Sequence, residues 1–257
     1  MGKYDGYLIC TDFDGTFALP GALLSAENLA AVKRFQEGGG LFTIASGRRP
    51  QFIRRLIGPF NVNAPVIAMN GTMVCDERSF EVIRDYPMGE EVLPVLDELA
   101  GLGLCESMIL WNAGSEQNRW SRDMDAPPSV HYAGHPKPWY KAVAVNPDEK
   151  SALALRAWFR QRWGDRFTGC RSWPVGFEIQ GRDCGKGTAL RWIRESLGAR
   201  VHTSIGVGDF ENDVSLIRDA DIGYAVANAC PEAKAAADRL TVANTEHAIA
   251  AVIDELG

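Results

Sequence analysis

Four aspartates in two short motifs account for most of the chemistry that this sequence suggests. Asp12 and Asp14 lie two residues apart just before a glycine, and Asp209 and Asp213 lie in a second glycine-rich segment. Carboxylates that pack together repel one another unless a positive charge compensates them. Oxygen ligands without His or Cys partners favour Mg²⁺ over Zn²⁺. We therefore predict that Asp12, Asp14, Asp209 and Asp213 form a Mg²⁺ site.

A hydroxyl and a lysine could place an anion beside that cation. Ser46 is followed by Gly47, and Lys186 stands between two glycines at the predicted start of a helix, where the helix dipole also attracts negative charge. Taken alone, Ser46 is more simply a helix cap and Lys186 a surface lysine. The glycine spacing fits neither a Walker A loop nor a dinucleotide-binding loop, and the acidic spacing does not fit an EF-hand. Together with the cation, these residues predict a phosphate-shaped pocket.

The elements that position these residues read as an alternation of strands and helices. Three short apolar runs predict buried strands, and a polar residue follows each: residues 7–11 precede Asp12, 41–45 precede Ser46, and 66–69 precede Asn70. Helices predicted between them imply right-handed crossovers and a parallel sheet. Ligands bind at the carboxyl ends of such strands, which is where all three polar residues stand. We predict a Rossmann-like α/β core with helices on both faces of the sheet.

The middle of the chain has a different pattern. From 86 to 182 the predicted strands, such as 140–145 and 176–180, alternate apolar and polar residues, which is typical of an antiparallel sheet. A helix is predicted over 147–163, with Asn146 as its cap, and residues 112–138 read as loop. We therefore predict an inserted α+β domain at 86–182. The core would consist of residues 1–85 and 183–257.

Composition limits the classes of partner. The 257 residues carry a formal charge of −6, with a pI of about 5.3, which argues against nucleic acid as a main partner. No apolar run of about 18 residues occurs and no signal peptide is evident, so we expect no membrane association. The six cysteines are scattered without metal-binding spacing, as in reduced cytoplasmic proteins. Oligomeric state is left open between monomer and homodimer.

The motifs, in this order, resemble those of the haloacid dehalogenase superfamily of phosphotransferases. The matching segments are 12–16, 46–48, 186–187 and 208–213, and 228–234 resembles the C-terminal region of the Cof-like sugar-phosphate phosphatases. The insert resembles the type II cap of that subgroup. The resemblance implies a Mg²⁺-dependent phosphatase whose cap selects the substrate.

The resemblance also implies roles for individual residues. Asp12 would be the nucleophile and a metal ligand, while Asp14 would be the general acid/base, with its backbone carbonyl on the metal. Asp209 would bind Mg²⁺ and Asp213 would complete its shell. The residues expected around the phosphoryl group are Thr16, which also positions the Asp14 loop, and Ser46, Gly47, Lys186 and Asn212.

The resemblance leaves the substrate as a small phosphorylated metabolite, with a sugar phosphate as the default by analogy. Weaker expectations for substrate contact fall on four residues, which are Arg48, Asn70, Arg171 and Trp173. Two alternatives remain open. A phosphomutase would use the same chemistry, and a non-catalytic phospho-acceptor or phosphate-binding protein would use the same acidic pocket.

Overall fold

The chain folds into two compact units. The computed structural model describes residues 2–256 except 59, 113 and 115–117. One unit, the core, comprises Met1–Asp85 and Gly185–Gly257, and the other, the insert, comprises Tyr86–Cys184. The insert therefore ends two residues later than the sequence predicts. Among the described residues, no helix is long and apolar enough to span a membrane.

The core alternates strands and helices in its first half and again in its second. The elements of the first half are β1 (Tyr7–Asp12), α1 (Ala26–Glu37), β2 (Leu41–Ala45), α2 (Pro50–Leu56), β3 (Val66–Ala68), β4 (Met73–Cys75) and β5 (Val82–Asp85). After the insert, in which numbering continues, the second half contains α6 (Lys186–Leu197), β11 (Thr203–Gly208), α7 (Val214–Asp219), β12 (Ile222–Ala225), α8 (Pro231–Ala236), β13 (Arg239–Leu240) and α9 (Ala248–Glu255).

One eight-stranded sheet organises the core, in the order β13-β12-β11-β1-β2-β3-β4-β5. The strands from β13 to β3 run parallel, and β4 and β5 add an antiparallel hairpin at one edge. The predicted α/β class with a mostly parallel sheet is confirmed. β1 lies at the centre, between β11 and β2, so the carboxyl ends of these three strands are neighbours.

The central strands are apolar because helices cover both faces of the sheet. Leu8 and Cys10 of β1 pack in one cluster with residues of α6, including Leu190 and Ile193. Successive side chains of a strand point to opposite faces, so Ile9, which is also fully buried, faces the other layer. There α1 packs against α9. A continuous apolar run is what such a doubly covered strand requires.

The insert has its own sheet and its own hydrophobic core. Its elements are α3 (Leu93–Gly101), β6 (Ser107–Asn112), β7 (Arg119–Ser121), α4 (Pro128–Tyr132), β8 (Trp139–Val145), α5 (Glu149–Arg162), β9 (Phe167–Trp173) and β10 (Gly176–Gly181). The five strands are antiparallel in the order β7-β6-β8-β10-β9. Apolar side chains of α3 and α5 pack against Trp139 and Phe177 of the sheet. The predicted α+β character is confirmed.

Two local predictions in the insert are wrong. The segment 112–138, expected as loop, contains β7 and α4. Helix α5 begins at Glu149 rather than 147, because Asp148 is its cap and accepts a hydrogen bond from the Ser151 amide at 2.7 Å. Asn146, the expected cap, instead donates from Nδ2 to the Leu104 carbonyl at 2.8 Å.

Candidate active site

The first acidic motif begins where β1 ends. Asp12 is the last residue of that strand and is buried. Gly15 then turns the chain with φ of +82°, a conformation that residues with a Cβ rarely adopt. A Cβ at this position would also lie 2.7 Å from Oδ2 of Asp209. Gly15 therefore allows the loop after β1 to approach the second acidic motif closely.

Lys186 lies between two of the aspartates. It is the first residue of α6 and is fully buried, with its Nζ 2.5 Å from Oδ1 of Asp12 and 2.5 Å from Oδ1 of Asp213. Burial disfavours its charged form, but the two carboxylates outweigh that effect and raise the pKa of Lys186 above its ordinary value. The lysine is therefore a fixed positive charge at the centre of the site.

The second carboxylate oxygen of Asp213 stabilises the backbone of a turn. Oδ2 accepts hydrogen bonds from the backbone amides of Asp209, at 2.9 Å, and Phe210, at 3.1 Å. These amides belong to the turn that follows β11, so Asp213 both caps the turn and faces Lys186. The turn in this way places Asp209 beside the end of β1.

Three carboxylates meet at this point. One oxygen each from Asp12, Asp209 and Asp213 lies within 4.8 Å of the others. Burial and the Asp213 charge raise the pKa of Asp12 well above its usual value, against the lowering effect of Lys186. Burial, and then Asp213, raise the pKa of Asp209 to about 7, although a hydrogen bond from Thr16 opposes the shift.

The residues of this cluster fit a divalent cation. Lys186 offsets part of the negative charge of three carboxylates, but burial and then the charge of Asp213 still disfavour the ionised forms of Asp12 and Asp209. A hard cation would relieve the repulsion among the carboxylates, and an all-oxygen donor set suits Mg²⁺ better than a softer metal. Both oxygens of Asp213 already accept hydrogen bonds. The carboxylate oxygens of Asp12 and Asp209 are therefore more available to a metal than those of Asp213.

The carboxylate of Asp14 has a different partner. Its two oxygens accept hydrogen bonds from Nε and Nη2 of Arg48, at 2.7 and 2.8 Å, and the pair is partly exposed. The side chain of Asp14 is not part of the three-carboxylate cluster. Arg48 follows β2, so neighbouring strand ends supply the two partners.

Polar residues at the ends of β2 and β3 lie beside one another, as the topology predicts. The Asn70 amide donates to the Ser46 carbonyl at 3.0 Å, and Oδ1 of Asn70 accepts from Nδ2 of Asn212 at 3.1 Å. A Cβ at Gly47 would lie 3.1 Å from Oδ1 of Asn70. Ser46 is buried, and its Oγ accepts from the Arg48 amide at 3.2 Å. Ser46, Gly47, Asn70 and Asn212 thus form one group of neighbours.

A model of the haloacid dehalogenase-like hydrolase family matches residues 9–253. The chain belongs to this family. It is 27% identical over 244 residues to an HMP-PP phosphatase of Klebsiella pneumoniae, and the alignment covers 91% of this chain and 89% of the phosphatase. It is 24% identical over 246 residues to a 5-amino-6-(5-phospho-D-ribitylamino)uracil phosphatase of Bacillus subtilis, with 96% and 94% covered.

A solved structure has the same fold. The fold matches the haloacid dehalogenase subclass IIB sugar phosphatase BT4131 with a TM-score of 0.77 and 18% identity, covering 98% of this chain and 99% of that chain. The family and the names of its relatives identify this chain as an enzyme, a phosphatase of the Cof-like group.

In this hydrolase, Thr16 supports an acidic residue. Its buried hydroxyl donates to Oδ1 of Asp209 at 2.8 Å. From the sequence, Thr16 is expected to position the Asp14 loop and to lie near the phosphoryl group. The observed hydrogen bond connects the loop after β1 with the loop after β11.

Three asparagines that sequence reasoning did not assign to the site hold the loop of this hydrolase that carries Asp14 and Thr16. We call Asn28, Asn228 and Asn244 the asparagine clamp. Their side-chain amides donate to the carbonyls of Phe17, Gly15 and Ala18 at 3.2, 2.9 and 2.8 Å, respectively. Asn28 and Asn228 also accept from the amides of Ala250 and Asn244. Only Asn228 gave a sequence signal, since it lies in the C-terminal segment that resembles the subgroup.

The two substrate candidates in the insert have partners within the insert. Nη1 of Arg171 donates to Oε1 of Glu149 at 2.8 Å and to the Pro174 carbonyl at 3.3 Å, and the side chain is buried. Arg171 therefore contacts the first turn of α5. Trp173 is 37% exposed, and a Cβ on Gly176 would collide with its ring.

Proposed function

We propose that this chain is a Mg²⁺-dependent phosphomonoesterase that hydrolyses a small phosphorylated metabolite through an aspartyl-phosphate on Asp12. The observation that supports this most is the position of Asp12. Asp12 is the last residue of the central strand. Its carboxylate accepts a hydrogen bond from Lys186 and lies close to the carboxylates of Asp209 and Asp213. A nucleophile and charges that neutralise phosphoryl oxygens are the main needs of phosphoryl transfer.

In the first step, an oxygen of Asp12 attacks phosphorus and the bond between phosphorus and the ester oxygen breaks. The leaving alkoxide takes a proton from Asp14, which gives the free alcohol. In the second step, water attacks the phosphorus of the aspartyl-phosphate and gives its proton to Asp14. The bond between Asp12 and phosphorus breaks, so Asp12 is restored and inorganic phosphate is released.

Charged and polar residues of the core would hold the phosphoryl group during both steps. Lys186 is already fixed next to Asp12, where an ammonium can offset charge on the phosphoryl oxygens. The Ser46 hydroxyl, the Gly47 backbone and Asn212 are our candidates for the remaining contacts.

Asp12, Asp209 and the backbone carbonyl of Asp14 would hold Mg²⁺, with Asp213 orienting the turn around it. When bound, the ion supplies charge neutralisation for the phosphoryl oxygens and for the crowded carboxylates.

For the substrate, we propose a small phosphorylated metabolite, with a sugar phosphate tested first. The similar proteins named above are phosphatases of HMP-PP, of a phosphoribitylamino-uracil and of sugars, and all of these substrates are small molecules. We also propose that the insert, as a cap domain, selects the leaving group, and that Arg48 and Asn70 support the core site. Six free cysteines fit a cytoplasmic location, and nothing in the charge of the chain favours nucleic acid.

The test is phosphate release from a panel of phosphorylated metabolites with Mg²⁺, for the wild type and for Asp12→Asn. We expect turnover by the wild type and a loss of at least about 10⁴-fold in the variant, as is typical when a covalent nucleophile is removed. Asp254→Asn is the matched control, because that carboxylate lies on α9 and is exposed. Acid quenching followed by mass spectrometry should find phosphate on the peptide that contains Asp12.

The alternatives predict other results. A phosphomutase would form an isomeric sugar phosphate and release little inorganic phosphate. A non-catalytic phospho-acceptor would give a single stoichiometric burst from an activated ester and no turnover. Full activity in Asp12→Asn would refute the proposed nucleophile.

A further inference from the structure

The pair formed by Arg48 and Asp14 has a geometry that stability does not explain. Both oxygens of Asp14 accept from the guanidinium, and the side chains are 39% and 50% exposed for Arg48 and Asp14, respectively. Ion pairs with such exposure stabilise proteins by only about 0–1 kcal/mol. A two-point contact between residues 34 positions apart does, however, fix the orientation of a carboxylate.

The backbone of Arg48 is held on both sides of its side chain. Its amide donates to Oγ of Ser46 at 3.2 Å, and its carbonyl accepts from the Met69 amide at 2.9 Å. Pro50 then begins α2 directly after Arg49. The guanidinium therefore extends from an anchored backbone, at the end of β2, to the loop after β1.

The electrostatic surroundings of Arg48 connect it with the nucleophile as well. The hydrogen bonds to Asp14 raise the pKa of Arg48 above its ordinary value, partial burial opposes this, and the charge of Asp12 adds to the increase. The guanidinium therefore lies within electrostatic reach of both aspartates of the first motif.

From this geometry we propose that Arg48 is the positioning residue for Asp14 and acts chiefly in the second step of the proposed reaction. A guanidinium only donates hydrogen bonds, so the carboxylate that faces it is an acceptor. Water activation needs an acceptor: water attacks the phosphorus of phospho-Asp12, its proton passes to Asp14, and the bond between Asp12 and phosphorus breaks. Each oxygen of a carboxylate can accept more than one hydrogen bond. Asp14 can therefore receive the proton of the water while its carboxylate stays hydrogen-bonded to Arg48.

This role rests on the proposed function, and it predicts a particular kinetic signature. Phosphorylation of Asp12 by p-nitrophenyl phosphate needs little help from an acid, because the leaving group is good. Breakdown of the phospho-enzyme still needs a positioned base, which contributes about 10²–10⁴-fold. Loss of Arg48 should therefore slow the second step and leave the first almost unchanged.

The experiment is rapid-quench kinetics with p-nitrophenyl phosphate and Mg²⁺ on the wild type, Arg48→Gln and Arg54→Gln. Arg54 is exposed on α2 and provides the same substitution outside the site. We expect Arg48→Gln to give a normal burst of nitrophenol, an accumulated phospho-enzyme and a steady-state rate lowered about 10- to 100-fold. Its melting temperature should match that of the wild type, and guanidinium ion should restore part of the rate in Arg48→Ala.

A double-mutant cycle gives the second readout. If Arg48 acts through Asp14, the losses in Asp14→Asn and Arg48→Gln should not add in the double variant. Additive losses, or a burst slowed as much as the steady state, would overturn the role of Arg48.

If Asp12→Asn is inactive but Arg48→Gln behaves like Arg54→Gln, only this inference fails. If Asp12→Asn keeps its turnover, the proposed function itself fails.

Discussion

Each unit of the molecule buries a lysine against acidic side chains, and the two arrangements differ in their charge balance. In the core, Lys186 faces Asp12 and Asp213, with Asp209 also in the group. In the insert, Nζ of Lys141 donates to Oε2 of Glu178 at 2.8 Å, with both side chains buried. The core cluster has more carboxylates than the one lysine offsets, whereas the contact in the insert joins one cation to one anion.

The sources of the charged groups differ as well. Lys141 and Glu178 lie on β8 and β10, which are hydrogen-bonded neighbours in one sheet. The core cluster instead combines the end of β1, the start of α6 and the loop after β11, which are far apart in the sequence. Buried ion pairs are weak evidence of stabilisation, because desolvation offsets their attraction. An excess of buried acid is more costly still, and its position at strand ends fits a site that could hold a cation.

The largest effect that separates the two clusters should come from replacing their lysines. Lys186→Met leaves two buried carboxylates without their shared partner, so we expect a loss of about 3–5 kcal/mol in the free energy of unfolding. We also expect a loss of at least about 10²-fold in kcat, since a charge that stabilises the transition state is gone. Chemical denaturation without metal and steady-state assays with Mg²⁺ measure the two effects.

Lys141→Met is the matched control for this prediction. It should also lower the free energy of unfolding, because Glu178 loses a partner, but it should leave the burst with p-nitrophenyl phosphate unchanged. Equal kinetic losses in the two variants would contradict the distinction between a catalytic and a structural cluster.

The sequence predicts the core cluster well because parallel topology places strand ends together. Asp12, Ser46 and Asn70 each follow an apolar run, and a parallel sheet brings such positions to one edge. The contact between Asn70 and Asn212 shows how closely two motifs separated by 142 residues meet. Motif residue types and topology were sufficient for this part of the site.

Other parts depend on side-chain conformations and on competition that sequence patterns do not record. Arg48 pairs with Asp14 because of the side-chain rotamers that the two residues adopt. The sequence around either residue does not indicate this pairing. Asn28 lies on α1, where polar residues are common, yet its side chain is fully buried. Asn and Asp are equally suitable helix caps, so the sequence pattern does not decide between Asn146 and Asp148. The local geometry makes Asp148 the cap of α5.

The next effect concerns pH in the metal-free protein. The pKa of Asp209 rises from 3.8 to about 7, so between these values the folded protein retains a proton that the unfolded chain releases. The free energy of unfolding should therefore fall as pH rises through this window, and Asp12, whose pKa is also raised, should add to the slope. Mg²⁺ should reduce the slope because it binds the charged carboxylates.

Thermal unfolding between pH 4 and 7, with and without EDTA, measures this slope. Asp209→Asn should flatten it in the metal-free protein. Asp76→Asn is the control: backbone hydrogen bonds from Ser79 and Arg78 lower the pKa of that exposed carboxyl, so its contribution is lost only as pH falls below the window. An unchanged slope in Asp209→Asn would show that the acidic cluster does not strain the fold.

The smallest effect compares two buried asparagines, one in each unit. Asn28 bridges the Phe17 carbonyl and the Ala250 amide, while Asn146 donates to the Leu104 carbonyl. Asn28→Leu removes the side-chain partner of two backbone groups and Asn146→Leu that of one, so we expect each to cost about 1–3 kcal/mol, with Asn28→Leu at the upper end. Only Asn28→Leu should also lower kcat, by about tenfold or more, because a shift of about 1 Å in the loop that carries Asp14 is costly for catalysis. If kcat falls equally in Asn146→Leu, the loss reflects general destabilisation, and the asparagine clamp has no specific part in placing the loop.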